Sequence, residues 1–280
     1  MNRAAGRQAF QALESGLASL AARHPAPALS TAATLGWFRN LLSRRWPAPE
    51  QIRTLFPHLT HSAAARVAWS IGGLEARNRV LAACILSAGL GPVRPLVRTP
   101  PDFAALRPPL LLGTFHVGAV HALGPALERL PGPVLALRHG LLYSPDPPVE
   151  IVTTEGDDQQ RAAAFQRALT RLGSGGFVVL AVDVVPGSGL QAPCLGRTLE
   201  LTRGPFALAR LAKVPLVPLV ARWRRGGVDV ELGEPISGEE ESVLAAATAR
   251  WLERYLLDSP ADLGLGLLRR LLGFEPTAGR

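Results

Sequence analysis

Lysine, cysteine and methionine are scarce in this chain of 280 residues, whose positive charge is almost entirely arginine. Lys213 is the only lysine, yet the formal net charge is +8. The two cysteines, Cys84 and Cys194, lack the Cys-x-x-Cys spacing, and their small number and separation exclude a disulfide framework or a zinc knuckle. This cysteine usage suits a reducing compartment. The arginines are scattered and no zinc-finger, RRM or KH signature accompanies them, so we predict no nucleic-acid partner.

Long apolar runs are missing as well. A bilayer-spanning helix needs about 20 consecutive apolar residues, and the best candidate, "PFALARLAKVPLVPLVARW", contains Arg210 and Lys213. We therefore predict no transmembrane helix. The first residues show no basic cluster leading into a compact apolar run with a cleavage site, so a secretory signal is not expected either. The chain is expected to stay cytoplasmic.

Helical patterns fill the first third of the chain. Residues 5–22 place Phe10, Leu13, Leu17 and Leu20 at spacings of three and four, which makes one apolar stripe along a helix. Such a stripe is typical of a helix that packs against a core, and a helix lying in a membrane interface carries the same pattern. A longer helical region follows from His61 to about Leu90.

Two further segments mix apolar and basic residues. Residues 37–46 read "WFRNLLSRRW" and residues 263–274 read "LGLGLLRRLLGF". Together with the first stripe they predict peripheral attachment to a membrane lipid surface. We divide the chain into an N-terminal helical extension (1–92), an α/β domain (93–257) and a C-terminal amphipathic tail (258–280).

The middle of the chain alternates apolar runs of strand length with helix-like segments. The runs are "LLLGTF", "PVLALR", "VEIVTT", "GFVVLAV", "VPLVPLV" and "VDVEL", and helix-like segments lie at 119–130, 158–172 and 203–212. This alternation predicts an α/β fold, with a mostly parallel central sheet flanked by helices. In such sheets the reactive groups gather at the C-terminal ends of the strands.

Three residues whose side chains could take part in a reaction lie at or directly after the end of a predicted strand. His116 follows "LLLGTF", Arg138 ends "PVLALR" and Asp183 follows "GFVVLAV", so a base, a cation and a carboxylate converge on one sheet edge. No Gly-x-Ser-x-Gly elbow is present, and Cys194 has no base beside it in the sequence. A histidine that activates an acceptor hydroxyl or amine for direct attack on a thioester needs no protein nucleophile. The pattern therefore favours acyl transfer over covalent hydrolysis.

A family resemblance rests on the same residues. The segments "GTFHVGAVHALGPAL", "PVLALR" and "GGFVVLAVDVVPGSGLQAPCLGRTLELTRGPFALARLAKVPLVPLVARW" resemble the bacterial lipid A biosynthesis acyltransferases, the late lauroyl and myristoyl transferases of the lysophospholipid acyltransferase-like superfamily. Upstream, "WFRNL" and "LFPHLT" are similar to the N-terminal helical region of that family. The resemblance covers roughly residues 37 to 235 and implies a glycerolipid acyltransferase-like fold.

The resemblance also implies roles. His116 would be the general base, Arg138 a basic substrate contact, and the cleft would be formed by Asp183 and the loop through Gly196, Thr202 and Gly204. The implied enzyme is peripheral to the cytoplasmic face of the inner membrane. It takes an acyl chain from acyl carrier protein or coenzyme A, passes it to a hydroxyl or amine of a lipid or lipid-like acceptor, and needs no metal or redox cofactor.

One position departs from the family motif, in which an acidic residue stands five residues after the histidine. Here that residue is His121. Five residues on an ideal helix turn by about 140°, so His116 and His121 can face each other only if His116 lies on the turn before the helix. A neutral His121 can orient the imidazole but supplies no negative charge.

Three hypotheses therefore stay open. In the first, Asp183 approaches His116 and replaces the missing acid. In the second, a pair of histidines acts at a lower rate. In the third, the protein is a degenerate family member that binds lipid or acyl carrier protein without turnover. A metal site formed by His116, His121 and His139 is disfavoured, because this spacing is not the i, i+4 pairing that puts two ligands on one helix face.

Overall fold

A seven-stranded sheet with helices on both faces forms the centre of the computed structural model, confirming the predicted α/β class. The structure describes residues 3–43, 47–138, 149–154, 156–183 and 189–274; in the first range, side chains are described for 12–39. The N-terminal helical region is also present as predicted.

The described part of that N-terminal region contains four helices: α1 (Arg3–Ala21), α2 (Pro25–Ser43), α3 (Pro49–Leu55) and α4 (His61–Ala88). The hydroxyl of Thr60 caps α4 by accepting a hydrogen bond from the backbone N–H of Ala63. On α1, the predicted stripe is only partly buried, because Leu13 and Leu20 are exposed. The side chain of Phe10 lies outside the described residues, as do Arg44, Arg45 and Trp46.

The strands and remaining helices alternate along the rest of the chain. In chain order they are β1 (Val97–Arg98), β2 (Leu110–Thr114), α5 (Leu123–Leu127), β3 (Val134–Arg138), β4 (Val149–Thr153), α6 (Asp158–Gly173), β5 (Phe177–Ala181), β6 (Leu190–Cys194), β7 (Arg197–Leu201), α7 (Arg203–Ala212), β8 (Leu216–Arg224), β9 (Gly227–Leu232), α8 (Glu241–Asp258) and α9 (Leu265–Leu271).

The order of strands across the main sheet is β1-β9-β8-β2-β5-β3-β4. The pairs in this sheet are parallel apart from β8 with β9, and β6 pairs with β7 in a separate hairpin. All five residues of β2 are buried, which explains its continuous apolar sequence, because parallel strands are covered on both faces. Alternate side chains of β2, β3 and β5 enter two separate apolar layers.

Two local elements differ from the predictions. Around Gly196, where a loop is predicted, the chain forms the β6–β7 hairpin, whose turn residues Leu195 and Gly196 both have positive φ, 51° and 67°. That geometry is the one that matches the twist of a two-residue hairpin. The stretch predicted as a helix at 119–130 is a 3₁₀ turn (Val120–Ala122) followed by the short α5.

The C-terminal segment is not a free amphipathic tail in the part that the structure describes. Leu263, Leu267, Leu268 and Leu271 are buried in the same apolar layer as the sheet. The prediction that residues 263–274 present an apolar face to a membrane is therefore wrong for these leucines. An apolar helical stripe looks the same in sequence whether it meets lipid or a protein core.

Within the described ranges, no helix is both long enough and apolar enough to cross a membrane.

Candidate active site

The strand register brings His116 and Asp183 together. Strands β2 and β5 are neighbours, and their last paired residues are Thr114 and Ala181. Pairing continues one step further, because the backbone N–H of Val182 donates to the carbonyl of Thr114 at 2.9 Å. His116 and Asp183 each come two residues after the last pair, so the register places them opposite each other at the C-terminal edge of the sheet.

Two hydrogen bonds join these residues. The carboxylate Oδ1 of Asp183 lies 2.8 Å from Nδ1 of His116, and Oδ2 accepts the backbone N–H of His116 at 3.0 Å. The side chain of Asp183 is fully buried, while that of His116 is 46% exposed. A buried carboxylate is stable only when paired. With Asp183 ionised, Nδ1 of His116 carries the hydrogen, and Nε2 on the far side of the ring is left to accept a proton.

The pKa values of the pair move apart. The negative charge of Asp183 raises the pKa of His116, and their hydrogen bond adds to this, although burial and the cations of Arg270 and Arg138 oppose it. Burial pushes the pKa of Asp183 upward, but His116 and Arg270 together outweigh burial and lower it. Asp183 is therefore a fixed anion at neutral pH, and it stabilises the imidazolium that His116 forms when it takes a proton.

His121 lies on the 3₁₀ turn and does not act as the partner of His116. Its Nδ1 is buried and has no hydrogen-bond partner within the described part of the chain. Burial, with smaller contributions from Arg138 and His116, lowers the pKa of His121 to about 4. His121 is thus a neutral ring, and of the three hypotheses for the missing acid the geometry favours the one that assigns its role to Asp183.

The loop that carries His116 is held from several sides. The N–H of Gly118 donates to the carbonyl of Asp262 at 2.8 Å, and the carbonyl of Gly118 accepts Nδ2 of Asn78 at 2.8 Å. The next N–H, of Ala119, donates to Ala221 in β8 at 2.6 Å. Gly118 has φ of 57°, and a Cβ there would collide with the carbonyl of Ala221. Only glycine therefore fits this position without rearrangement.

A cavity of about 450 Å³ opens beside His116, a volume within the range of small-molecule sites. Its walls come from β2, β3, β5, α5, α6, α7 and the 3₁₀ turn. The lining is mainly apolar and includes Leu123, Leu127, Leu137, Phe165, Val179, Leu180 and Leu208. Polar side chains join this lining, including His116, His121, Arg138 and Thr202. The cavity is therefore an apolar slot with a base and a cation in its wall.

The other predicted site residues divide into two groups. Arg138, Thr202 and Gly204 line the cavity, and their role as substrate contacts stays a prediction. The N–H of Thr202 donates to the carbonyl of Val182 at 2.8 Å, which ties the start of α7 to the residue beside Asp183. Gly196 does not line the cavity; it forms the turn of the β6–β7 hairpin. Its positive φ explains why glycine is there, so its place in the substrate cleft is corrected to a role in the turn.

Two arginines at the site were not predicted. Arg161 of α6 lines the cavity and donates from Nη1 to the carbonyl of Gly156 at 2.7 Å. Arg270 of α9 donates from Nη2 to Oδ2 of Asp183 at 2.9 Å. Arg161 has a sequence signal, because it lies on the first turn of a helix that begins at the sheet edge, whereas Arg270 has none.

Neither cysteine is suited to nucleophilic chemistry. Both are buried, and burial raises the pKa of Cys194 to about 12, so its thiol stays protonated at neutral pH. Over the described residues, no three His, Cys, Asp or Glu side chains come together as a metal site. His139, which belonged to the disfavoured metal hypothesis, lies outside the described residues.

The chain matches no known protein family, and no curated protein sequence is significantly similar to it. The resemblance to the lipid A acyltransferases therefore stays a prediction from its motifs, and the function has to be argued from the site.

Proposed function

We propose that the protein is an acyltransferase that moves a fatty acyl chain from a thioester to a hydroxyl or amine of a lipid or lipid-like acceptor. The observation that carries the proposal is the His116–Asp183 pair beside an apolar cavity of about 450 Å³. A base oriented by a buried carboxylate suits proton removal from an acceptor, and an apolar slot suits a hydrocarbon chain.

In the proposed reaction, Nε2 of His116 takes the proton of the acceptor hydroxyl or amine as that atom attacks the thioester carbonyl carbon. The tetrahedral intermediate then breaks its C–S bond, and the thiolate leaves with the proton that His116 holds. Asp183 keeps Nδ1 protonated throughout and stabilises the imidazolium. No covalent acyl-protein bond forms, which agrees with the protonated, buried thiol of Cys194.

The start of α7 supplies groups suited to the developing oxyanion. Thr202 and Gly204 line the cavity, and the Thr202 hydroxyl is buried without a hydrogen-bond partner in the ranges that the structure describes. The first backbone N–H groups of a helix have no partner within the helix and favour negative charge nearby. Helix α7 is therefore positioned to lower the barrier to attack on the thioester.

The charges in the cavity wall indicate the acyl donor, and the exposed apolar side chains indicate where the protein resides. The arginines that line the cavity, Arg138 and Arg161, suit the phosphates of coenzyme A or of the acyl carrier protein's prosthetic group.

Leu13 and Leu20 on α1 and Phe38 on α2 are exposed, and we propose that they rest on the cytoplasmic face of the inner membrane. The net charge of +8 favours anionic headgroups.

The test is product formation by the full-length protein. Acyl carrier protein and coenzyme A thioesters of several chain lengths are each offered with a panel of hydroxyl and amine lipid acceptors, and acylated products are identified by mass spectrometry. Acylated acceptor that depends on the protein supports the proposal. Binding of acyl chains without product, across the whole panel, contradicts it and assigns the protein to the non-catalytic lipid or carrier-protein binding class.

A further inference from the structure

The C-terminal segment packs behind the loop that carries His116. Its residues 260–271 comprise a 3₁₀ turn (Pro260–Asp262) and α9. Within it, the carbonyl of Asp262 accepts the N–H of Gly118, two residues after His116, at 2.8 Å. Gly264 lies so close to the carbonyl oxygen of His116 that any side chain there would collide with it. The segment is therefore in direct contact with the backbone of the candidate base.

Buried polar contacts fix this segment in place. The carboxylate of Asp262 accepts the hydroxyl of Tyr255 at 2.9 Å and lies 3.1 Å from Nε of Arg222. The backbone N–H of Leu265, at the start of α9, donates to Glu75 of α4 at 3.0 Å. Because these partners come from β8, α8 and α4, the position of the segment is set by three separate elements.

Arg270 extends from α9 to the carboxylate of Asp183. Its Nη2 is 2.9 Å from Oδ2, and its side chain is 24% exposed. The same Oδ2 accepts the backbone N–H of His116, while Oδ1 faces Nδ1 of His116. Two donors on Oδ2 prevent the carboxylate from rotating, so Oδ1 keeps its orientation toward the imidazole.

We propose that Arg270 is a positioning residue of the active site, which holds Asp183 so that Asp183 orients His116. This inference rests on the proposed function for its importance in catalysis, but the coupling between Arg270 and His116 is a property of the resting protein. The C-terminal segment is then a required part of the site and not an appendage to the α/β domain.

The charged groups around His116 determine whether its pKa rises or falls when the charge of Arg270 is removed. Asp183 raises the pKa of His116, while Arg270 and Arg138 lower it. His121, on the neighbouring 3₁₀ turn, is neutral, since its own pKa is lowered to about 4. Removal of the Arg270 charge leaves Asp183 with His116 as its main partner, so the imidazolium is favoured and the pKa of His116 rises.

The experiment measures the pKa and ring tautomer of His116 by NMR in full-length protein labelled with ¹⁵N-histidine. Arg270→Met keeps the apolar stem and removes the charge, and Arg270→Gln keeps an N–H donor without the charge. Arg270→Lys retains a cation, and Arg250→Met removes an exposed arginine from α8 as the matched control. Circular dichroism and thermal melting confirm that each variant is folded.

We expect the fraction of His116 that carries its hydrogen on Nδ1 to fall in Arg270→Met, because Asp183 is then freer to rotate. The pKa of His116 should rise in Arg270→Met and Arg270→Gln, because a nearby cation is lost. Arg270→Lys and Arg250→Met should stay close to the wild type. In the transfer assay, the acid limb of kcat/KM should move to higher pH by the same amount. A His116 tautomer population that is unchanged in folded Arg270→Met overturns the inference even where the pKa rises, because loss of the charge alone raises the pKa. A changed tautomer population in a protein that transfers no acyl group leaves the inference standing and rejects the proposed function.

Discussion

His116 and Asp183 stand 67 residues apart in the chain and form a hydrogen bond of 2.8 Å between Nδ1 and Oδ1. The bond fixes which ring nitrogen carries hydrogen, and it places a fully buried anion beside a half-exposed base. Asp183 follows β5, the strand that pairs with β2, so under the proposed function Asp183 orients His116 in place of the motif acid, while His121 is a neutral residue.

Asp183→Asn should lower the rate of acyl transfer by a factor of roughly 10³ to 10⁴, because an amide supports the wrong tautomer and provides no charge for the imidazolium. The rate is measured with a saturating acyl thioester and acceptor. His121→Ala is the control, and it should lose less than about tenfold, since Nδ1 of His121 has no partner in the described residues. The reverse order of these two effects would establish the histidine pair instead.

The pH dependence of transfer should have an acid limb controlled by His116. Only the neutral ring accepts a proton, so the rate falls as pH drops through the pKa of His116. Asp183 raises that pKa above the ordinary value of 6.5, so half of the maximal kcat/KM should be reached above pH 6.5. An acid limb centred well below pH 6.5, or a rate that is independent of pH from 5 to 8, would show that His116 is not the titrating base.

The sequence predicted that His116 and Asp183 lie on one sheet edge, because each comes at the end of an apolar run of strand length. The register that places them opposite each other, and the complete site, could not be predicted. The partner of Asp183 on its other side, Arg270, lies 87 residues further along the chain. No spacing rule links these positions, and the leucines around Arg270 have the same pattern as a membrane-binding helix.

The hairpin of β6 and β7 was missed for a related reason. Its strands are short, and Pro193 interrupts β6 in a position that argues against a strand unless it lies at an edge. The hairpin packs on α8, where Glu253 accepts the backbone N–H of Leu195 at 2.8 Å. This tertiary contact stabilises a turn that local sequence signals only weakly. The place of Gly196 in the substrate cleft is implied by the family resemblance alone.

Filling the cavity should change the preferred acyl chain. Ala136 of β3 lines the cavity, and Ala136→Phe places a ring in space that a long chain would occupy. We expect kcat/KM for long chains to fall by at least about tenfold relative to short chains, measured with thioesters of increasing length. Ala162→Phe, on the exposed face of α6, makes the same change outside the cavity. An identical chain-length profile in both variants would place the acyl chain elsewhere.

Membrane binding should depend on the exposed leucines of α1. Leu13→Glu together with Leu20→Glu should weaken sedimentation with anionic liposomes at low salt by more than about tenfold, because each burial of a leucine contributes roughly 1.5 to 3 kcal/mol. Added salt should weaken wild-type binding too. The double change Val243→Glu and Leu257→Glu on α8 is the matched control, since both side chains are exposed there. Equal binding by both double variants would remove α1 from the membrane contact.

The most direct measurement is single-turnover acyl transfer by His116→Ala, followed by mass spectrometry of the acylated acceptor. His116 is half-exposed in the cavity wall and contributes little to the core, so the variant should fold and still bind the acyl chain. We predict that its transfer rate falls by roughly 10² to 10⁴ relative to wild type, the range that a general base supplies. A folded His116→Ala protein that transfers the acyl chain within about threefold of the wild-type rate would contradict the assignment of His116 as the base.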